Sequence, residues 1–439
     1  MIILFFFRGT LNDAVVAKIR CTNETFQLAT IREGIFKEEC IFETKAELIA
    51  RDKMLKEEMI KKGKFFKLTN AEKRIWYHEK KYQGAPLHNI GGCIVLRAAV
   101  DHEIMEKAIN QIIKEHDAFR IGLYEFDGEP YQYVKDYEYR ALQLRNFDSD
   151  EEFAQWQNSF FLEAFDIYKD ELYSFVLCKL SGADYRIVLK MHHIIADGWS
   201  FQLIAEYMTK AYFSVKNGSV SAEDTPGISY LTHLEKEEGY LGSEQMKRHR
   251  QYWLERFKDA DTINFLQPSK GLEGKRKSFT LSSEETAQLR KFAADNKLFL
   301  QTIVIAAYYL YRSACVGEKD IIVGIPVFNR SGHTEKSIIG MFTSTIAYRF
   351  CIDENASISG YLTSMNRRLM EDLRNQKYPY NMLIEELKSL NNSLENMFDV
   401  SINYYNSGFT KSFNKWDSTV EECYCCLLDT SDAADDLIG

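Results

Sequence analysis

Residues 191–200 read Met-His-His-Ile-Ile-Ala-Asp-Gly-Trp-Ser, in a chain that holds nine histidines among 439 residues. Adjacent imidazoles followed by an acid suit proton handling near neutral pH, because the unperturbed imidazole pKa is about 6.5. The preceding run, Tyr185-Arg-Ile-Val-Leu-Lys-Met191, is mostly apolar and reads as a buried strand. Beyond Gly198, Phe201, Ile204, Ala205 and Met208 recur at helical spacing, so a helix starts there. The pair therefore lies on a strand-to-helix connection, where functional side chains concentrate. Successive strand residues point to opposite faces, which argues against a chelating pair. One histidine should do chemistry while the other packs. Asp197 can hold backbone N–H groups of the coming helix or an arginine, and Gly198 permits a positive φ at a tight turn. A lone histidine is ordinarily a hydrogen-bonded core residue. Pair, spacing and location together set these two apart.

Other chemistries find little support. The chain has no GxSxG, HExxH, GxGxxG or GxxxxGK[ST] pattern. Gly271-Leu-Glu-Gly-Lys275 has glycines too close together for a phosphate loop and reads as a charged surface loop. Cys423 and Cys426 form one CxxC without the second pair a zinc site needs, so neither a metal nor a bound cofactor is expected. Cys93 and Cys178 sit in apolar runs and read as core. Nine cysteines without a secretory signal suggest reduced thiols and a cytoplasmic setting. A net charge of -9, with 27% charged residues, gives no basic patch for nucleic acid. No apolar run approaches the roughly 20 residues of a membrane span. Met1–Phe7 reads as a strand rather than a signal peptide.

These residues need a frame to hold them. Residues 1 to about 44 read as short strands, and a charged helix from Lys45 to Lys62 ends at Gly63. Residues 1–64 form an accessory segment or the remnant of an upstream domain. From Phe65 strands and helices alternate, with Asp101 capping a helix striped by Ile104, Ala108 and Ile112. A Ser-, Gly- and acid-rich link near 217–227 separates two halves of similar style. Helices containing Trp253 and spanning Gln301–Tyr311 follow, then a strand at 320–325. The expectation is an α/β protein of two similar lobes, 65–220 and 221–425.

His192-His-Ile-Ile-Ala-Asp-Gly198 resembles the HHxxxDG signature of condensation domains of nonribosomal peptide synthetases, within the chloramphenicol-acetyltransferase-like superfamily. Further blocks stand in the family's order. Leu68–Trp76 is similar to LTxAQxRxW, His116–Arg120 to HExLR, and Ile339–Arg349 to IGxFxNTxxxR. Asn375–Tyr380 is similar to NQDYPF, and Met397–Tyr404 to the closing block. The likeness covers about residues 65–410. Glu115, Ser344 and Lys377 depart from the pattern where Arg, Asn and Asp are frequent, which bears on specificity. No pattern after Tyr405 marks the family's last strand and helix. Cys426–Asp436 resembles a translated sequencing-library adapter, so the natural sequence is expected to stop near Tyr424, leaving the second lobe truncated and 426–439 an artefactual or disordered tail.

The resemblance implies two lobes in a V-shaped pseudo-dimer with a tunnel between them. It implies transfer of an acyl or peptidyl group from one carrier-bound thioester to the amine of a carrier-bound amino acid. His193 would face the tunnel as general base, or would hold the amine and stabilise the tetrahedral intermediate. His192 would support the loop, Asp197 would pair with Arg120, and Gly198 would let backbone approach the tunnel, which Trp199 and Ser344 would line. Partners would be upstream and downstream peptidyl carrier proteins with phosphopantetheine arms, and an adenylation domain. Three alternatives remain: an epimerisation domain, a free-standing acyltransferase using coenzyme A thioesters, and a non-catalytic interaction platform.

Overall fold

The structure is a computed structural model that describes residues 2–7, 15–22, 25–32, 35–42, 57, 65–96, 99–180, 184–218, 228–259, 279–390, 397–404 and 418–425. The strands expected at the N-terminus are Ile2–Phe7, Val15–Thr22, Thr25–Arg32 and Ile35–Phe42, paired antiparallel in chain order. Apart from Glu57, the expected helix 45–62 lies outside the described residues, as do the link 219–227, the loop 271–275 and the segment 426–439.

The motif strand, Tyr185–His192, lies third in a five-stranded sheet, between Asn89–Leu96 and Tyr173–Lys179. Its alternation places Ile187, Leu189 and Met191 in the large core beneath helices His102–Glu115 and Gly198–Lys216. Val188 joins Cys93, Val176 and Cys178 in a second cluster with Phe153 and Phe161 of helix Asp150–Leu162. Both faces are thus covered, which explains the near-continuous apolar run. Even-numbered residues look towards helix Asp150–Leu162: Lys190 Nζ donates to Phe160 O (2.8 Å) and Glu163 O (3.0 Å). His192, next in parity, continues on that face. Asp101 caps its helix through Ile104 N–H at 3.0 Å.

The sheet's outer strand is Ser418–Cys425, antiparallel to Asn89–Leu96. A strand therefore does follow Tyr405. Its pairing is interrupted between Glu421 and Tyr424, and an edge strand broken by a bulge and two glutamates leaves little alternation to read.

A separate core holds Trp253, Tyr309, Val323, Tyr348 and Leu369 around the pair Asp320–Val327 and Ser344–Cys351, packed with helices Leu300–Val316 and Ile358–Arg374. Between those two strands the chain leaves this core: Ile338, Ile339, Met341 and Phe342 bury themselves in the first core beside Tyr230. Gly340 sits against the Tyr230 ring, and an added Cβ would come within 2.3 Å of two ring carbons. The ring is fully buried and its hydroxyl donates to Met341 O (2.9 Å), so it has no room to turn. Gly340→Ala is expected to cost about 1–3 kcal/mol of stability, read as a lower urea midpoint; an unchanged midpoint would show that the crossing segment can shift.

Candidate active site

The strand ends at His192, and His193–Ile195 form one turn of 3-10 helix before Asp197 caps helix Gly198–Lys216. Each motif residue has its own task in this turn. His192 is buried; its Nε2–H donates to Glu79 Oε1 (3.2 Å) and its Nδ1 accepts from Ile194 N–H (3.2 Å). His193 is held by its backbone, whose N–H donates to His88 O at 2.8 Å. Its imidazole is only partly buried, and its Nδ1 has no hydrogen-bond partner. His192 is thus tied into the fold through both ring nitrogens, whereas among the described residues His193 Nδ1 has no hydrogen-bond partner.

Asp197 is fully buried, and its expected partner is corrected. Arg120 turns instead to Asp117 (2.8 Å) and Lys135 O (2.9 Å). Asp197 pairs with Arg330: Nη2 lies 2.8 Å from Oδ1 and 3.0 Å from Oδ2. It also accepts from Ser200 N–H (3.0 Å), Ser200 Oγ (2.8 Å), Phe342 N–H (3.1 Å) and Thr343 Oγ1 (3.3 Å). Burial by itself would raise its pKa, but Arg330 and the Ser200 donors outweigh that and hold the carboxyl below the usual range. Ser200 Oγ completes the clasp, accepting from Gly340 N–H (3.1 Å) while its single proton goes to Asp197. Phe342 lies between the Arg330 guanidinium and the His233 ring, each 3.9 Å from its centre. The acid both caps a helix and docks the crossing segment 338–343.

Gly198 is corrected as well. It is the first helical residue, without a positive φ, because extended Asp197 (φ -121°, ψ 177°) makes the turn. Trp199 Nε1–H donates to Lys336 O (2.8 Å) and its ring meets Phe328 at 5.7 Å. Ser344 is buried at the start of its strand opposite Val327. Glu115 accepts from Gln111 (2.8 Å), and Lys377 reaches Ser331 Oγ (2.9 Å).

Sequence reasoning missed Arg330, Glu79, His78 and His88. His78 and Glu79 lie in the last turns of the helix that the opening block starts, and His88 in the loop after it. His78 Nδ1 lies 2.7 Å from His88 Nε2, and the His88 ring centre is 5.8 Å from that of His192. The same helix, Asn70–Lys81, grips the crossing segment through Arg74, whose Nη2 donates to Thr343 O (2.9 Å). Among the described residues no group of His, Cys, Asp or Glu is placed to hold a metal ion, and no single helix is long and apolar enough to cross a membrane.

Burial pushes the pKa of His78, His116 and His233 down to about 4, and His88 falls well below 6.5 through burial and its histidine neighbours. The unfolded chain takes up these protons near pH 6.5 and the folded one does not, so their contribution is full above 6.5 and lost as pH falls towards 4. Burial pushes Glu72 up to about 7 and Asp372 up to about 6, which opposes that loss over part of the range. Burial also raises Glu237 and Glu318 and lowers His249; five histidines still outnumber four carboxyls, so stability is expected to fall as the pH drops from 6.5 towards 5. Urea midpoints at pH 7.5, 6 and 5 check this; a midpoint rising towards pH 5 would contradict it.

The fold has solved counterparts. The starter condensation domain of rhizomide synthetase RzmA, in complex with C8-CoA and Leu-SNAC, superposes with a TM-score of 0.70 at 21% identity, covering 83% of each chain. The first condensation domain of the CDA synthetase gives 0.66 at 18% identity, covering 78% of this chain and 83% of that one. The fold is thus the two-lobed α/β fold of condensation domains. The Condensation domain family model matches residues 62–422, and the chain belongs to that family. Surfactin synthase subunit 1 of Bacillus subtilis (strain 168) is 30% identical over 357 residues, and Bacitracin synthase 3 of Bacillus licheniformis 26% over 337. These matches cover 77% and 75% of this chain but only 10% and 5% of those proteins.

Proposed function

We propose that this chain forms a peptide bond in nonribosomal peptide synthesis. The amine of an amino acid on a downstream peptidyl carrier protein attacks the thioester carbonyl of a group on an upstream one. The C–N bond forms, the C–S bond breaks, and the departing phosphopantetheine thiolate takes up the proton the amine loses. A thioester is already activated, so the step needs only a held nucleophile and a proton acceptor. The observation that carries the reading is His193: its backbone is fixed by His88, while among the described residues its ring nitrogen Nδ1 has no hydrogen-bond partner. An adenylation domain would load the carriers, and the setting would be cytoplasmic. Residues 65–220 and 221–425 would form the two walls of the substrate tunnel, with Trp199 and Ser344 along it.

The test is amide formation followed by mass spectrometry on the full chain, with panels of aminoacyl carrier-protein donors and acceptors. Carrier-bound dipeptide supports the reading. Because a starter condensation domain of this fold was solved with C8-CoA, acyl coenzyme A belongs among the donors. Product from acyl coenzyme A alone would move the assignment to a coenzyme A dependent acyltransferase.

A further inference from the structure

The proposed chemistry makes no use of Glu79, yet this carboxylate lies one side chain behind the motif. It sits in the last turn of helix Asn70–Lys81, 9% exposed, 3.2 Å from His192 Nε2 and 3.9 Å from His88 Nε2. His88 Nε2 is already engaged with His78. His192 Nδ1 accepts the Ile194 N–H, so it carries no proton, and the ring proton sits on Nε2. A buried N–H needs an acceptor, and Glu79 supplies it. The Ile194 bond that this tautomer permits closes the turn carrying His193.

The geometry points to Glu79 as a positioning residue for the histidine pair: it fixes the tautomer of His192, and His192 fixes the turn that aims His193. This rests on the proposed function. A carboxylate that orients an imidazole governs rate through geometry, as the acid of a serine-protease triad does.

Glu79 also forms part of the wall of a cavity of about 460 Å3, bounded by Glu79, Lys80, Gln83 and Gly84 on one side and residues 164–169 on the other. The wall is braced: Trp76 Nε1–H donates to Tyr168 OH (2.7 Å), Tyr168 OH to Glu125 (2.9 Å), and Lys80 Nζ to the same Glu125 (2.8 Å). Glu79 lines this cavity, which therefore offers a small carboxylate a way to the place Glu79 would vacate.

The test uses the full chain as wild type, Glu79→Ala and Glu79→Gln in the carrier-bound amide assay, with sodium acetate against sodium chloride at equal ionic strength. Histidine 15N spectra report the His192 tautomer independently of activity. Glu79→Ala is expected to lower kcat by about 10–100-fold, with KM for the acceptor carrier within about twofold, and acetate but not chloride should restore much of the loss. Glu79→Gln, whose amide oxygen can still accept Nε2–H, should lose less. The spectra should show Nε2–H in the wild type and a mixed signal in Glu79→Ala. Wild-type kcat in Glu79→Ala overturns the inference, as does an unrescued loss with the tautomer unchanged. Should the wild type form no amide from any donor, the functional reading fails. The spectra then decide alone: loss of the Nε2–H form in Glu79→Ala sustains the inference, and an unchanged tautomer ends it. If Glu79→Ala does not fold, Glu79→Gln carries the same comparison.

Discussion

His193→Ala is expected to reduce carrier-bound amide formation by about 10²–10⁴-fold, the range a positioned acid-base group contributes, while leaving the protein folded. The separation of the two effects follows from the bonds. The hydrogen bond that fixes His193 runs from its backbone N–H to His88 O, and alanine keeps it. Among the described residues the ring nitrogen Nδ1 has no partner to lose. His192→Ala is the contrast, since it removes the acceptor of Ile194 N–H and leaves Glu79 buried without its partner. It should therefore lose stability as well as rate. Measuring kcat and the urea midpoint on both variants separates a chemical role from a structural one. A His193→Ala protein with wild-type turnover would remove this imidazole from the mechanism.

Asp197→Ala carries the largest expected cost in stability, about 3–5 kcal/mol, because it leaves the Arg330 charge buried and unpaired. Both side chains are 1% exposed or less. The loss extends beyond the pair, since Phe342 N–H and Ser200 N–H also lose their acceptor. Arg330→Ala should cost a similar amount, and the double variant less than the sum, because removing both partners leaves no isolated charge. Arg120→Ala discriminates between the partner expected from the motif and the one found. Its ion pair with Asp117 is partly exposed, so its removal should cost about 1 kcal/mol or less and add to Asp197→Ala without coupling. Coupling between Arg120 and Asp197 of the size expected for Arg330 would contradict this geometry. Urea denaturation of these single and double variants measures it.

Local pattern carried much of the fold. The strand before the histidines, the helix after them and the capping roles of Asp101 and Asp197 were all legible, because propensity, alternation and capping act within a few residues. Spacing of the blocks located the family. The edge strand Ser418–Cys425 was not legible, since a bulge removes the period that betrays a strand.

Residue order was therefore enough to place the histidine turn between its strand and its helix. What stands across from each motif residue was settled by packing. Arg330 is 133 positions from Asp197, and Glu79 is 113 from His192. Nothing local distinguishes Arg330 from Arg120 as a partner; the choice is made when segment 338–343 crosses into the first core and brings the nearby arginine with it. Buried charge tolerates no vacancy, so whichever cation the packing delivers beside Asp197 must pair with it. That pairing is a property of the packed chain, and no motif encodes it.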